Sequence, residues 1–494
     1  MHCDRRRFLS RTLHSMLGAS VYSAFGNLQL VHAATRSAAR ARAAGASAAY
    51  SFNDYKALIC VFLYGGNDAF NMVIPTDATT YAQYKTVRPS LAVAQNQLLA
   101  LNAPTSGQGS PGDGAQYGFH PAMTDLATLF NQPSSPVAVI ANVGTLVGPV
   151  TKAQYENSSA ALPPQLFSHA DQLAYWQSSP PSNIPETGWG GRICDLLASA
   201  NPTNLPTLTS LNAEDAFIRG LNQNNYVMGV DSASALQQAY DGSGSLSSTF
   251  GALFASGVQA NVLERTYAAT MTHSQATAGL INNALNATGA PNPPPDWSTF
   301  FPNASGYDID TQLKTVAQLI WAANNGVTGY TGQKRQVFFV TTGGYDTHSG
   351  ETAAQPALLG LLSKSLAGFY KALHSVGLDQ TATAFTASDF GRTLSTNGNG
   401  TDHGWGSHHI AVGGAVAGGK FYGDNLGGTG NAAMPSLLLS DNNPNDAGYG
   451  QIIPTTSIDQ YSATLASWFG VAAGDIPLLF PNLSNFSTKN LGFV

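Results

Sequence analysis

Five unbroken apolar runs constrain this chain more than any other feature. They are Ala57–Leu63 before Tyr64-Gly65-Gly66-Asn67-Asp68, Val137–Gly144, Val337–Thr342 before Gly343-Gly344, Thr383–Ala387 before Ser388-Asp389, and Ile410–Gly414. A strand with one wet face alternates apolar and polar residues, so a run without alternation reads as a strand buried on both faces, as in parallel sheets. Helical periodicity fills the intervals. It is expected over Pro121–Phe130, Ala170–Gln177, Leu313–Ala323, Ala357–Val376 before Gly377, and Ile458–Phe469 before Gly470. Proline at the first turn and glycine past the last are the usual start and stop signals. Strands alternating with helices predict an α/β fold, a mostly parallel central sheet flanked by helices. Residues 57–494 are expected to form one such domain. Within it, residues 200–300, rich in Asn, Ser and Gln and closing on Pro291–Pro295, read as a helical insertion or cap.

The first 49 residues differ from the rest. Arg5-Arg6-Arg7-Phe8-Leu9 precedes a mildly apolar run from Leu13 to Leu30, and Val31-His32-Ala33 offers a small-residue cleavage site before Ala34. That order describes an export signal of the twin-arginine type over residues 1–33, with 34–56 a flexible linker and the mature protein periplasmic or secreted. Removing residues 1–33 takes away four Arg and one Asp, which leaves 18 basic against 27 acidic residues. An acidic chain lacks the electrostatic footprint of a nucleic-acid binder. A hydrophobic content of 43% is too high for disorder. No apolar stretch reaches the 18 residues of a transmembrane helix. Cys60, inside an apolar run, reads as a small buried hydrophobe; a disulfide to Cys194 stays open.

The polar residues at the run ends carry the chemistry. Asn67-Asp68, Asp346-Thr347-His348 and Asp389 each come just after a run, and Asp402-His403 and His408-His409 lie before or at the start of the last one. Ligands of open α/β sheets bind beyond the carboxyl ends of the strands, so these residues are expected at one edge. Carboxylates mixed with imidazoles suit zinc, manganese or iron, as one ion or two. Asp68, Asp346, His348, Asp389, Asp402, His403 and His409 are the candidate ligands, with Asn67, His120 and His408 behind them. Ser168-His169 precedes a short helix, where Ser168 is either a helix cap or a nucleophile beside the metal. Arg392, and less so Arg192, could clamp an oxyanion or fix a loop by an ion pair.

The motifs Phe62–Asp68, Gly118-Phe119-His120-Pro121, Ser168-His169, Gly343–His348, Ser388–Thr393, Gly400–Gly406 and Asp459-Gln460-Tyr461 together resemble the bacterial exported family called domain of unknown function fifteen hundred and one, placed as sulfatase-like within the alkaline phosphatase superfamily. The resemblance implies that fold and a two-metal phosphatase or sulfatase site. By position, Asp68 would be a ligand, Ser168 the nucleophile, Asp346 and His348 a pair on one ion, and Asp389 and His409 further ligands. Phe390 stands where the superfamily commonly has His, and Asp402-His403 is its expected substitute. The expectation is therefore an exported, metal-dependent hydrolase of phosphate or sulfate esters. Its rivals are a non-catalytic envelope binding or assembly protein on the same fold and a metal-dependent oxidoreductase.

Overall fold

The first apolar run folds as β1 (Lys56–Leu63) at the centre of a sheet, paired in parallel with β8 (Arg335–Thr342) on one side and β9 (Ala382–Ser388) on the other. The computed structural model describes residues 50–494 apart from 180–186, 203, 212–213, 222–224, 231–260, 307, 425–433 and 440–441. The expected signal and most of the linker lie outside the described residues. Among them the sheet runs β11 (Lys420–Tyr422), β5 (Val137–Gly144), β10 (Ser407–Val412), β9, β1, β8, β6 (Leu208–Leu211), β7 (Asn225–Met228), with β12 (Thr456–Ser457) beside β5. β10 alone is antiparallel to its neighbours. A small antiparallel sheet of β2 (Val73–Pro75), β3 (Leu99–Ala100) and β4 (Tyr117–Phe119) stands apart.

Alternate residues of the buried strands serve opposite cores, because strand side chains point alternately to the two faces. Ala57, Ile59, Val61 and Leu63 meet helices α2 (Thr124–Phe130), α4 (Val262–Leu285), α5 (Ile309–Asn324) and α6 (Glu351–Ser375). Leu58, Cys60 and Phe62 meet α3 (His169–Ser178) and α7 (Ile458–Phe469). α1 (Ala78–Val87) packs in a smaller cluster with Phe70 and Leu394. Cys60 and Cys194 share the second core as free, buried thiols, whose pKa values burial pushes well up. No helix among the described residues is long and apolar enough to cross a membrane.

The five runs and five helical stretches are found, although the helix expected from Pro121 begins at Thr124 and the one expected from Ala357 begins at Glu351, with Pro356 inside it; two further differences matter for the site. The last strand starts at Ser407, earlier than its apolar run, so it carries His408 and His409 within the sheet. Residues 200–300 do not form a wholly helical cap. β6 and β7 extend the parallel sheet, Leu208 in register with Val337, and α4 packs Ala278, Ile281 and Ala284 into the main core. Strands of four residues containing Thr, Ser and Asn are too short to show a period.

Because β10 runs backwards, the chain leaves β9 and re-enters β10 at one edge of the sheet. The two legs of this loop touch at Gly391 and Gly404, and Arg392 bridges to His403 in antiparallel fashion. A Cβ on Gly391 would sit 1.9 Å from the Gly406 carbonyl oxygen. Gly391→Ala should therefore lower stability by about 2 kcal/mol or more. Gly474→Ala, which meets nothing within 4 Å, should stay within about 0.5 kcal/mol. Urea midpoints of the two variants check both.

Candidate metal centre

Three loops deliver the centre. The β8 end supplies Asp346 and His348, the loop from β9 to β10 supplies Asp389, Arg392, Asp402 and His403, and the start of α3 supplies His169. His348 Nε2 lies 3.1 Å from Asp346 Oδ1, and His403 Nε2 lies 3.5 Å from the same oxygen. The two imidazole Nε2 atoms are 2.9 Å apart. His169 approaches the other carboxylate oxygen, its Nε2 3.6 Å from Asp346 Oδ2. His169, Asp346 and His403 each offer a ligand atom within 4.8 Å of one another.

Each ring is fixed by its far nitrogen. His403 Nδ1 donates to the Phe167 carbonyl oxygen at 2.8 Å, since a carbonyl only accepts. His348 Nδ1 donates to Asp402 Oδ1 at 3.0 Å, and His169 Nδ1 to Asp389 Oδ2 at 2.7 Å. With Nδ1 protonated, the neutral ring carries its lone pair on Nε2, so all three lone pairs face Asp346. Lone pairs 2.9 Å apart repel unless a proton or a metal ion lies between them, and His169 Nε2 is buried with no hydrogen-bond partner. This is how metal-binding histidines are held. Ligand atoms of a tetrahedral zinc ion lie about 3.3 Å apart, given bonds of about 2.0–2.1 Å. The separations among Asp346, His348 and His403, 2.9–3.5 Å, fit one divalent ion.

Local strain and close packing support this geometry. Phe167 adopts φ +71°, a left-handed backbone that costs a bulky residue about 1–2 kcal/mol, and so turns its carbonyl to His403. Gly65, at φ +114°, leaves room for the Asp346 backbone and gives its N–H to Asp389 Oδ1 at 3.2 Å. The hydrogen bond to Asp389 raises the pKa of His169, and burial opposes it more weakly. Burial lowers that of His403.

Several expected residues stand elsewhere. Asp68 does not join the cluster: both its oxygens are taken by Arg88, at 2.5 and 2.8 Å, and the pair is fully buried. His409 is buried among Trp176, Tyr461 and Thr386, and burial drives its pKa to about 3. Ser168 stands at the N-cap position of α3 without capping a backbone N–H: its hydroxyl donates to Asp171 Oδ2 at 2.5 Å, and the next residue, His169, faces the centre instead. Arg392 is no anion clamp. Its fully buried guanidinium holds Asp346 Oδ1 at 2.6 Å, the Gly65 carbonyl at 3.2 Å and Thr401. Arg192 likewise donates to the carbonyls of Thr187, Ser178, Ser179 and Leu479. Of the supporting residues, Asn67 accepts no bond at Oδ1, and burial brings His120 and His408 to about 4.

Four contributors escape a reading of the sequence. Arg88 and Glu351 belong to the buried charges behind the centre, Phe167 contributes only a carbonyl, and Asn397 holds both Asp402 and the His348 carbonyl. Glu351 has one available signal, its place three residues past His348 at the start of a helix.

The family model described as "Protein of unknown function (DUF1501)" matches residues 55–434, and the chain belongs to that family. No curated protein matches it. Among solved structures it is similar to Ps i-CgsB in complex with k-i-k-neocarrahexaose, at 10% identity and TM-score 0.34, covering 89% of this chain and 78% of that one. It is also similar to the lipoteichoic acid synthase LtaP from Listeria monocytogenes, at 10% identity and TM-score 0.30, covering 81% and 76%. At such distance the chemistry of this chain rests on its own residues.

Elemental analysis of the purified protein should give bound zinc, manganese or iron, and Asp346→Asn or His403→Ala should lose it. Protons compete with a metal for imidazole. The lowered pKa of His403 keeps its ring neutral further into acid. Metal should therefore stay bound as pH falls past the ordinary histidine value of about 6.5 and leave only below it, as dialysis across pH 8 to 4 would record.

Proposed function

We propose that this member of a family of unknown function is an exported hydrolase of phosphate or sulfate esters, with a divalent ion held by Asp346, His348 and His403. One observation carries the reading: every imidazole of the centre spends Nδ1 on a fixed acceptor and turns Nε2 to the same carboxylate. A divalent ion bound there supplies Lewis acidity toward an ester oxygen and makes water a usable nucleophile near neutral pH.

The remaining roles belong to the chain. His169 accepts a proton from the attacking water at Nε2, and Asp389 favours the resulting imidazolium through Nδ1. Arg392 positions Asp346 and touches no substrate. Ser168, bonded to Asp171, supplies no nucleophile, so the ester is hydrolysed directly with no covalent serine intermediate. The Arg5-Arg6-Arg7-Phe8-Leu9 start supports export by the twin-arginine route, which carries folded, metal-loaded proteins. Two histidines and one carboxylate are also the donor set of oxygen-activating iron enzymes, which favours an oxidoreductase as second reading. Iron as the native metal, with oxygen consumption and no ester cleavage, would decide for it.

With aryl phosphates and aryl sulfates as probes, His169→Ala should lose about a hundredfold in kcat or more while retaining its metal. Ser168→Ala should stay within about twofold. Loss of turnover in Ser168→Ala would overturn direct hydrolysis, and loss of metal in His169→Ala would make His169 a fourth ligand.

A further inference from the structure

Among the described residues Tyr449 is the most exposed large hydrophobic side chain, at 92%. It stands at the tip of a tight turn between Asp446 and Ile452, which pair as an antiparallel bridge. The buried Asp446 carboxylate accepts the N–H groups of Gly448 and Gly450 at 2.8 and 3.0 Å, and Ala447 donates to the Gln451 carbonyl at 2.9 Å. Tyr449 itself holds φ +56° between two glycines. That left-handed backbone suits Gly or Asn and strains a residue with a bulky ring. Glycine would make the same turn without strain, and the tyrosine ring gains no burial in return. Folding therefore gives no reason for a tyrosine at this position.

The turn is fastened to the loop that builds the metal centre. Leu394 donates to the Gly450 carbonyl at 2.7 Å, Ser395 Oγ to the Tyr449 carbonyl at 2.7 Å, and Gln451 Nε2 to the His403 carbonyl at 3.1 Å. Ser395 is two residues, at most about 7 Å of chain, from Asn397. The Asn397 amide in turn holds Asp402 and the His348 carbonyl, both on the exposed side of the centre. The ring is thus presented beside that side. Thr393–Thr401 contains no charged residue, and Asp446–Gln451 only the buried Asp446. A stacked nucleobase would bring phosphates with no cation there to meet them. An apolar peptide would find one ring and not a patch. A sugar ring fits both features. Its weakly positive C–H face meets the negative face of an aromatic ring, and its hydroxyls suit the exposed amides of Asn397 and Asn399.

We infer that Tyr449 is a stacking platform for a sugar ring, and that the ester hydrolysed at the centre is carried by a saccharide. The second half rests on the hydrolase reading above; the first half does not. Full-length protein applied to an array of neutral, sulfated and phosphorylated oligosaccharides tests both. The wild type should bind, Tyr449→Ala should bind about tenfold more weakly, and Tyr449→Trp should bind as the wild type does. Tyr449→Gly should lose binding while its thermal midpoint stays at or above that of the wild type. Asp346→Asn should still bind neutral oligosaccharides, because the platform lies outside the metal centre. No binding by the wild type, or equal binding by Tyr449→Ala, overturns the inference and leaves the hydrolase reading intact. A lowered midpoint in Tyr449→Gly gives the ring a structural role and overturns it as well. Binding that depends on Tyr449, in a protein that cleaves no sugar sulfate or phosphate, overturns the hydrolase reading and leaves the platform.

Discussion

The fully buried guanidinium of Arg392 is the interaction on which the centre depends. It joins three loops that share no local sequence: the end of β1 through the Gly65 carbonyl, the end of β8 through Asp346, and the return leg toward β10 through Thr401. A buried charge without partners is costly, so the three loops must close on it together or not at all. Closure then sets the orientation of Asp346, around which the imidazoles gather. The reversed direction of β10 makes this possible, because it brings both legs of the longest site loop to the edge where β1 and β8 end.

Much of this is legible in the sequence, for a physical reason. Strands buried on both faces leave unmistakable apolar runs, and a parallel sheet sends the residues just past each run to one edge. Asp346, His348 and Asp389 therefore group together on sequence alone, whereas Asp402 and His403, which precede a strand, reach the same edge because β10 runs antiparallel. Long-range partners leave no such trace. Arg88 is 20 residues from Asp68 and 306 from Leu394, and nothing in Val87-Arg88-Pro89 announces either contact. The choice between Ser168 and His169 turns on one residue of rotation at a helix start. His408 and His409 are separated by the period of two in a strand, which sends neighbours to opposite cores. The extra strands at Leu208–Leu211 and Asn225–Met228 are too short for any period to show.

Two arginines thus play different parts. Arg392 orients a carboxylate that keeps a second oxygen and a half-exposed face for other partners, whereas Arg88 consumes its carboxylate entirely. Thr401 joins Arg392 to the buried Glu351 through hydrogen bonds of 3.2 and 2.7 Å. Low local dielectric strengthens such a chain and penalises any gap in it.

Among the described residues, exposure to solvent is uneven around the centre. The Asp389 side chain is 4% exposed and His403 25%, whereas His348 is 44% and Asp402 60% exposed. The centre has a dry wall and a wet wall. Charge generated at His169 is matched on the dry side, by Asp389, where water cannot dilute the attraction. Exchange with bulk solvent, whether of protons, ions or released acid, has its open route past His348 and Asp402. The two faces of one cluster are thereby given separate tasks, stabilisation within and traffic without.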